Sequence, residues 1–423
     1  MKKILVLFPN EWDRAELARP RYRGRYRFAF EGFDLFRFPE NARLMWFDAR
    51  RFVDRIVAKY RGAGLDGIVS NEEQFGAMIA AVAARRLGLP TADPRAIMVA
   101  QHKYYSRLAQ ARVAPEATPR FGVFPYTVRR AEEIEFDFPF FVKPVKATFS
   151  ILARRVERFD EVRDLLTFRP LERRILEKLV QPFDDLGADC GGFDVDAHHM
   201  IAEEILAGPQ VTVEGIVHRG EVTILGIVDA VMYPGTIAFE RFEYPSSLPE
   251  PVQARMRALA ERLIRAFGFD HGVFNVEFFY DRERDQIRIL EVNPRIAYQF
   301  ADLREKVDGY NTYDAVLALA TGEAPPPVAK GCGRHRHAAS FVLRTFERRR
   351  LKAFPDRTRI ETLQHRYEDA RFMIYIKTGA QLEREMKWLG SYRYAICNLG
   401  APDQLQLFDR YHRVRDELAF EFA

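Results

Sequence analysis

The sequence predicts a chain of mixed class, α/β at its start and α+β beyond, and three observations carry that reading. Ile4 to Phe8 is a continuous apolar run of β character near the N-terminus, followed by alternating strand and helix patterns, as when a buried parallel strand opens an α/β unit. Val273 to Arg295, VFNVEFFYDRERDQIRILEVNPR, places two apolar period-two runs around a short charged turn and reads as a β-hairpin. The last stretch of roughly ninety residues mixes strand-like and helical runs, an α+β cap. A length of 423 residues suits about two to four domains. The divisions fall at residues 1–100, 101–330 and 331–423, the last beginning just beyond the proline run Pro325 to Pro327.

Composition narrows the function. An apolar fraction of 48% is ample for globular packing, and a net charge of +5 comes from 65 basic residues dispersed among 60 acidic ones. That balance admits small anionic ligands and argues against a nucleic-acid partner. The densest basic run, Arg344 to Lys352, is interrupted by Glu347 and reads as a solvated face. Cys190, Cys332 and Cys397 are odd in number and widely spaced, so they suggest neither a disulfide framework nor a zinc cluster and suit a reducing cytoplasm. The apolar run of MKKILVLFPNEW is too short for a signal peptide, and no segment has the length of a membrane span. The reading is cytoplasmic with no membrane partner; oligomeric state leaves no mark in the sequence.

Taken in order, Phe33 to Phe38 and Gly67 to Ser70 read as further strands, and Arg51 to Tyr60 as a helix. Glu73 to Leu87 is a helix stopped by Gly88 and Pro90. With no G-x-G-x-x-G and no P-loop, dinucleotide or Walker-type binding is disfavoured here. Ile97 to Gln110 reads as one helix carrying Lys103 in its middle, where a lysine is ordinarily a solvated helix former. Phe138 to Pro144 is a strand with Lys143 embedded in an apolar run, and buried lysines are rare without a partner. Val145 to Leu152 reads as a turn whose Lys146, Thr148 and Ser150, with backbone amides, suit phosphate oxygens.

Glu161 to Leu166 and Leu171 to Leu179 are helical, and Gln181 to His199 reads as a surface loop. His198 and His199 are adjacent, so a strand would point them to opposite faces. Met200 to Leu206 is a strand, Gln210 to Val217 and Glu221 to Ala230 form a hairpin, and Val252 to Phe267 is an amphipathic helix. Tyr313 to Ala320 is helical. In the cap, Ala338 to Phe346, Arg371 to Lys377 and Arg393 to Asn398 read as strands, Ala380 to Trp388 and Gln404 to Leu418 as helices. His335 and His337 read as a loop pair without an acidic partner.

In the Val273 to Arg295 hairpin, Asn275 and Glu277 share one face of the first strand, and Glu291 and Asn293 one face of the second. A turn centred on Arg284 would set Glu277 directly opposite Glu291, where like charges destabilise the pair. Either a hard divalent cation, a shared proton or a solvated face must compensate.

Two separated lysines, a strand ending in Glu-Glu-Ile-Leu, and the E…E-x-N-x-R hairpin together resemble the ATP-grasp superfamily of carboxylate–amine ligase type. Residues 66–120 resemble the domain that precedes it, and the cap is similar to that of biotin carboxylases. The resemblance implies a nucleotide held between two α+β lobes, about residues 115–206 and 207–330. It implies that Glu203 to Leu206 is the hinge, with the Glu204 carbonyl and Leu206 amide on adenine, and that Gln210 stands where a ribose-contacting acid is common. Lys103, Lys143 and Ser150 would hold phosphates, and Glu277, Glu291 and Asn293 would hold Mg2+, or Mn2+ in its place. Arg295 would stabilise the transferring phosphoryl group.

The implied reaction activates a small-molecule carboxylate as an acylphosphate, joins it to an amine, and releases ADP and phosphate. The sequence departs from the family in three places. KPVKATFSI lacks the usual glycines, RIAYQF replaces R-x-G-G after the arginine, and Gln299 stands where biotin carboxylases carry a glutamate. An amide cannot act as a general base, which lowers the carboxylase reading. A kinase-like enzyme that passes phosphate to another acceptor and a non-catalytic nucleotide-binding regulator also compete with the ligase.

Overall fold

The computed structural model describes residues 1–35, 37–147, 151–376 and 380–423. The run of Ile4, Leu5, Val6 and Leu7 is wholly buried and forms the middle strand, Lys2–Leu7 (β1), of a three-stranded parallel sheet. Its neighbours are Tyr26–Glu31 (β2) and Gly67–Val69 (β3). The expected strand at Phe33 to Phe38 is corrected: its described residues carry no ladder, and the strand lies earlier, in YRFAFE. Phe33 is apolar because its ring packs edge-on to Phe8 and Phe47 in the core.

Glu11–Leu17 (α1) is capped by Asn10, Ala49–Tyr60 (α2) by Asp48, and Gly76–Leu87 (α3) ends where Gly88 takes φ +69°. The single helix expected from Ile97 to Gln110 is two, Pro94–Gln101 (α4) and Lys103–Val113 (α5). They break at His102, whose extended backbone (φ −91°, ψ 105°) ends one helix and begins the next. Lys103 therefore stands in a first turn rather than mid-helix, with its backbone N–H donating to the Val145 carbonyl at 2.9 Å.

A four-stranded antiparallel sheet follows, built from Phe121–Pro125 (β4), Phe140–Pro144 (β5), Arg154–Val156 (β6) and His199–Glu203 (β7) in the order β4-β7-β5-β6. Much of the loop expected from Gln181 to His199 is helix: Pro170–Asp189 continues through Pro182. Leu176, Val180, Phe183 and Leu186 keep a buried stripe going past the proline, and that tertiary packing overrides the lost hydrogen bond.

The large sheet has eight strands. Gln210–His218 (β8), Glu221–Met232 (β9), Phe239–Tyr244 (β10), Gly272–Asp281 (β11), Gln286–Asn293 (β12) and His337–Thr345 (β13) are joined, after the short strand Leu351–Ala353 (β14), by Arg371–Ile374 (β15) and Tyr392–Ala401 (β16). The order is β12-β11-β8-β9-β10-β13-β16-β15, so the C-terminal strands extend the sheet that begins with the hairpin. Glu421–Phe422 (β17) pairs with β14.

Among the elements that escaped the sequence reading are β10 and the helices Tyr298–Asp308 and Arg357–Arg366. The first of these helices hides its periodicity because Asp302, Arg304, Lys306 and Asp308 are all buried in ion pairs, Arg304 with Glu214 and Lys306 with Asp302 among them. Among the described residues no helix is long and apolar enough to cross a membrane.

Candidate active site

A cavity of about 920 Å³ lies between the two antiparallel sheets, with the N-terminal loops and the C-terminal strands contributing to its wall. Its floor is the β11–β12 hairpin. The turn is centred between Glu283 and Arg284, since Asp281 pairs with Gln286 and Phe278 with Ile289. A regular ladder would then place Leu290 opposite Glu277. A bulge at Leu290 shifts the register by one, and Glu277 faces Glu291 after all. The expected pairing is present, but the bulge rather than the turn produces it.

Burial first, then the charges of Glu291 and Glu73, push the Glu277 carboxyl up to about 8. Burial opposes ionisation of Glu291 as well, yet Lys103, Lys143 and Arg295 outweigh it and hold that group below its ordinary value. The two facing carboxyls are thus unlike: their surroundings favour the protonated form of Glu277 and the ionised form of Glu291. Gln210 Nε2 donates to Glu277 Oε2 at 2.7 Å, and Asn293 Nδ2 donates to Glu277 Oε1 at 3.1 Å and to Asn275 Oδ1 at 3.0 Å.

These donors fit a hard cation. Among the described residues no three or more His, Cys, Asp or Glu side chains gather as a metal cluster, and two carboxylates beside an amide suit magnesium, which completes its shell with water and phosphate.

The lysines arrive from the other lobe. Lys103 Nζ lies 3.6 Å from Glu291 Oε2 and donates to the Ala147 carbonyl at 2.9 Å. Lys143 Nζ is buried 2.7 Å from Glu203 Oε2, and burial pushes its pKa down against the attraction of Glu203. Glu203 is shared: Arg107 Nε donates to its other oxygen at 2.7 Å, and Arg107 Nη2 to the Leu290 carbonyl at 2.8 Å. Burial works against the Glu203 carboxylate, but Arg107 and Lys143 hold its pKa low.

Beyond Glu203 the chain leaves the ladder. The Glu204 N–H donates to the Arg120 carbonyl at 3.0 Å, whereas among the described residues the Glu204 carbonyl and Leu206 N–H have no backbone partner. Glu204, Leu206 and Gln210 all line the cavity. Ser150 and Thr148 lie outside the described residues.

Arg295 lies half-buried at the cavity wall, its guanidinium paired with Glu73 and donating to the Ile296 carbonyl at 3.0 Å. The structure therefore brings together Lys103, Lys143, Glu203, Glu204, Leu206, Gln210, Glu277, Glu291 and Arg295 in one cavity, with Asn293 hydrogen-bonded just behind. Sequence reasoning missed Arg107 and Glu73, and named Lys146 only as part of the turn at Val145 to Leu152. Lys146 is buried, donates to the Glu73 carbonyl at 3.2 Å, and is pushed down to about 8 by burial. Glu73 and Arg107 carried no local signal beyond their charge on helical patterns. Arg344 corrects another expectation: it lines the cavity instead of lying on a solvated face.

The histidines are engaged elsewhere. His198 lies 3.2 Å from Asp184, and His199 Nδ1 lies 2.7 Å from Asp196. His337 opens β13 rather than sitting in a loop, and His335 has an acidic neighbour after all, Asp369 at 3.4 Å.

Residues 136–303 match the family model of the ATP-grasp domain. That region is an ATP-grasp domain. It takes in β5, β6 and β7 of the small sheet and β8 to β12 of the large one, and ends in the helix after Arg295. Over 109 residues the chain is 34% identical to carnosine synthase 1 of Gallus gallus, a match covering 26% of this chain and 12% of that protein. The chain spans less than half the length of the curated relatives it matches. An L-amino acid ligase from Bacillus licheniformis superposes on all of this chain and 99% of its own, with a TM-score of 0.71 at 16% identity. A carboxyaminoimidazole ribonucleotide synthase from Aspergillus clavatus, solved with ATP, covers 99% of this chain and 98% of its own, with a TM-score of 0.67 at 15% identity. The fold shared with these two structures therefore extends over essentially the full chain.

Proposed function

We propose that the protein is an ADP-forming ligase that activates a carboxylate with ATP and couples it to an amine. The observation that carries this is the hairpin: Glu277 facing Glu291, ringed by Lys103, Lys143 and Arg295 in one cavity. Phosphoryl transfer needs positioned cations more than a covalent partner. Lys103 and Lys143 face the phosphates, and the hinge from Glu204 to Leu206 offers a carbonyl and an N–H to adenine. Glu277, Glu291 and Asn293 would hold magnesium, which when bound neutralises charge on the phosphate oxygens.

A substrate carboxylate oxygen attacks the γ-phosphorus as the bond to the β–γ bridging oxygen breaks, giving an acylphosphate and ADP. The amine nitrogen then attacks the acyl carbon, the bond to the phosphate oxygen breaks, and the nitrogen loses a proton. Arg295, half-buried and charged, offers its guanidinium to the transferring phosphoryl group. Residues 1–100, 101–330 and 331–423 serve as preceding domain, ATP-grasp body and cap. The three free cysteines support a cytoplasmic setting.

Gln299 lines the cavity where a carboxylase-type reading requires a base, and an amide has none to give. The test is a phosphate-release screen of acids crossed with amines. The expected result is ADP and phosphate released only when both are present. AMP and pyrophosphate would overturn it in favour of adenylation, phosphate transfer to an acid or alcohol alone would indicate a kinase-like enzyme, and nucleotide binding without turnover would indicate a regulator.

A further inference from the structure

The same cavity holds a second pair of like charges. On β13 and β16, Arg344 and Arg393 are Cα partners, and here too the register shifts at the pair: Leu343 faces Ala395, so Tyr394 is the extra residue. Both arginines line the cavity, at the end formed by the C-terminal strands. Like charges directly opposite on a ladder repel, so the arrangement is unfavourable unless something of opposite sign enters.

The protein does not supply it to Arg344. Among the described residues no carboxylate lies within ion-pairing distance of Arg344; its Nη1 donates to the Ser391 hydroxyl at 3.0 Å, and its Nε is buried with no partner. Burial, then the charge of Arg393, pushes the Arg344 guanidinium down to about 10, so the environment disfavours the charge it carries. Arg393 has its guanidinium over the Tyr375 ring at 4.3 Å, and so presents a planar fork against an aromatic wall. The walls of this end are aromatic and apolar, with Tyr298, Tyr375, Phe242 and Ile374 among them.

We propose that Arg344 and Arg393 form a carboxylate clamp that holds the second anionic group of the substrate pair at the end of the cavity away from the metal hairpin. The inference rests on the ligase reading only for the word substrate. The reacting carboxylate belongs beside Arg295 and the Glu277–Glu291 pair, so a carboxylate at Arg344 must be a different one. It is either the carboxylate of an amino acid serving as the amine, or the distal carboxylate of a dicarboxylic acid. A carboxylate can accept two hydrogen bonds from the Arg344 fork, one of them from the buried Nε, and keeps acceptor sites for Arg393.

The test separates binding from turnover. Trp12 lines the cavity, and its fluorescence reports binding of 3-phenylpropionate and of its neutral twin, 3-phenylpropionamide, in the presence of ADP. The wild-type protein is expected to bind the carboxylate at least about tenfold more tightly, the scale of a charge-assisted hydrogen bond. R344Q should erase that preference while leaving ADP affinity unchanged, and R344K should restore part of it. R393Q provides the same comparison if R344Q does not fold. Equal binding of the two probes by the wild type, or an unchanged preference in a folded R344Q, overturns the clamp.

In turnover, a loss in R344Q with amino-acid amines but not with their amides assigns the clamp to the amine substrate. A loss confined to dicarboxylic over monocarboxylic acids assigns it to the acid, and no loss in either arm overturns it. Charge-dependent probe binding without phosphate release from any pair leaves the clamp standing and removes the ligase reading instead.

Discussion

Two like-charged pairs stand in one cavity on one sheet, and they are solved differently. Glu277 and Glu291 are surrounded: Gln210 and Asn293 donate to Glu277, while Lys103, Lys143 and Arg295 bias Glu291 toward its ionised form. Arg344 has one hydroxyl acceptor and a buried N–H without a partner. Each pair sits beside a bulge, at Leu290 and at Tyr394, so each is aimed by the same backbone device. The difference teaches where the protein is preorganised. The carboxylate end is a finished network, which suits an unchanging ligand; at the arginine end the Nε of Arg344 still lacks an acceptor.

The largest effect expected is at the finished end. Glu291→Gln removes a carboxylate that nothing else replaces, and should abolish magnesium-dependent nucleotide turnover, a loss of at least about a hundredfold, with the circular-dichroism spectrum unchanged. Near-normal turnover would sink the metal assignment. Next is Arg107→Leu, which leaves Glu203 and the Leu290 carbonyl with a lost partner in a buried setting. Thermal or denaturant unfolding should show a loss of about 3–5 kcal/mol, the usual penalty for breaking a buried ion pair. A change below about 1 kcal/mol, the range of exposed pairs, would show that Arg107 is not what holds the Glu203–Lys143 contact. Arg344→Gln comes third, about tenfold in affinity for a carboxylate probe and nothing for ADP.

The smallest effect concerns pH. Burial, reinforced by Lys146 and Lys103, pushes the His102 ring down to about 3 against the pull of its Asp196 carbonyl contact. An unfolded histidine titrates near ~6.5, so between those values the unfolded chain binds the extra proton. The stabilisation from neutral His102 is therefore complete above about pH 6.5 and is lost as pH falls toward 3. His102→Phe, which keeps the ring among Tyr105, Phe183 and Phe193, should flatten that acid limb in a plot of melting temperature against pH. An unaltered limb would assign it to carboxylates instead.

The hairpin and the strand that carries Lys143 were readable from sequence because apolar runs are local signals that each polar residue interrupts, whereas the Glu203 to Leu206 hinge came only from the family resemblance. What escaped reading was non-local. Arg107 and Glu73 look like ordinary helix charges until the fold carries them to Glu203 and Arg295, 96 and 222 residues away. The helix Tyr298–Asp308 defeated a periodicity search because its buried face is charged. Arg344 lay at the head of a basic run and was read with it, although strand alternation from β13 turns it into the cavity.

The bulge at Leu290 has a consequence for how the two sheets are joined. Were Leu290 deleted, a regular ladder would still set Glu277 against Glu291, so that pairing alone does not require the extra residue. What the bulge supplies is a carbonyl turned to Arg107, and Arg107 is the same side chain that grips Glu203 at the end of β7. One guanidinium thus pins the small sheet to the large one at the back of the cavity. A substitution that removes the Arg107 guanidinium would therefore break this tie between the sheets while leaving the Glu277–Glu291 pairing untouched.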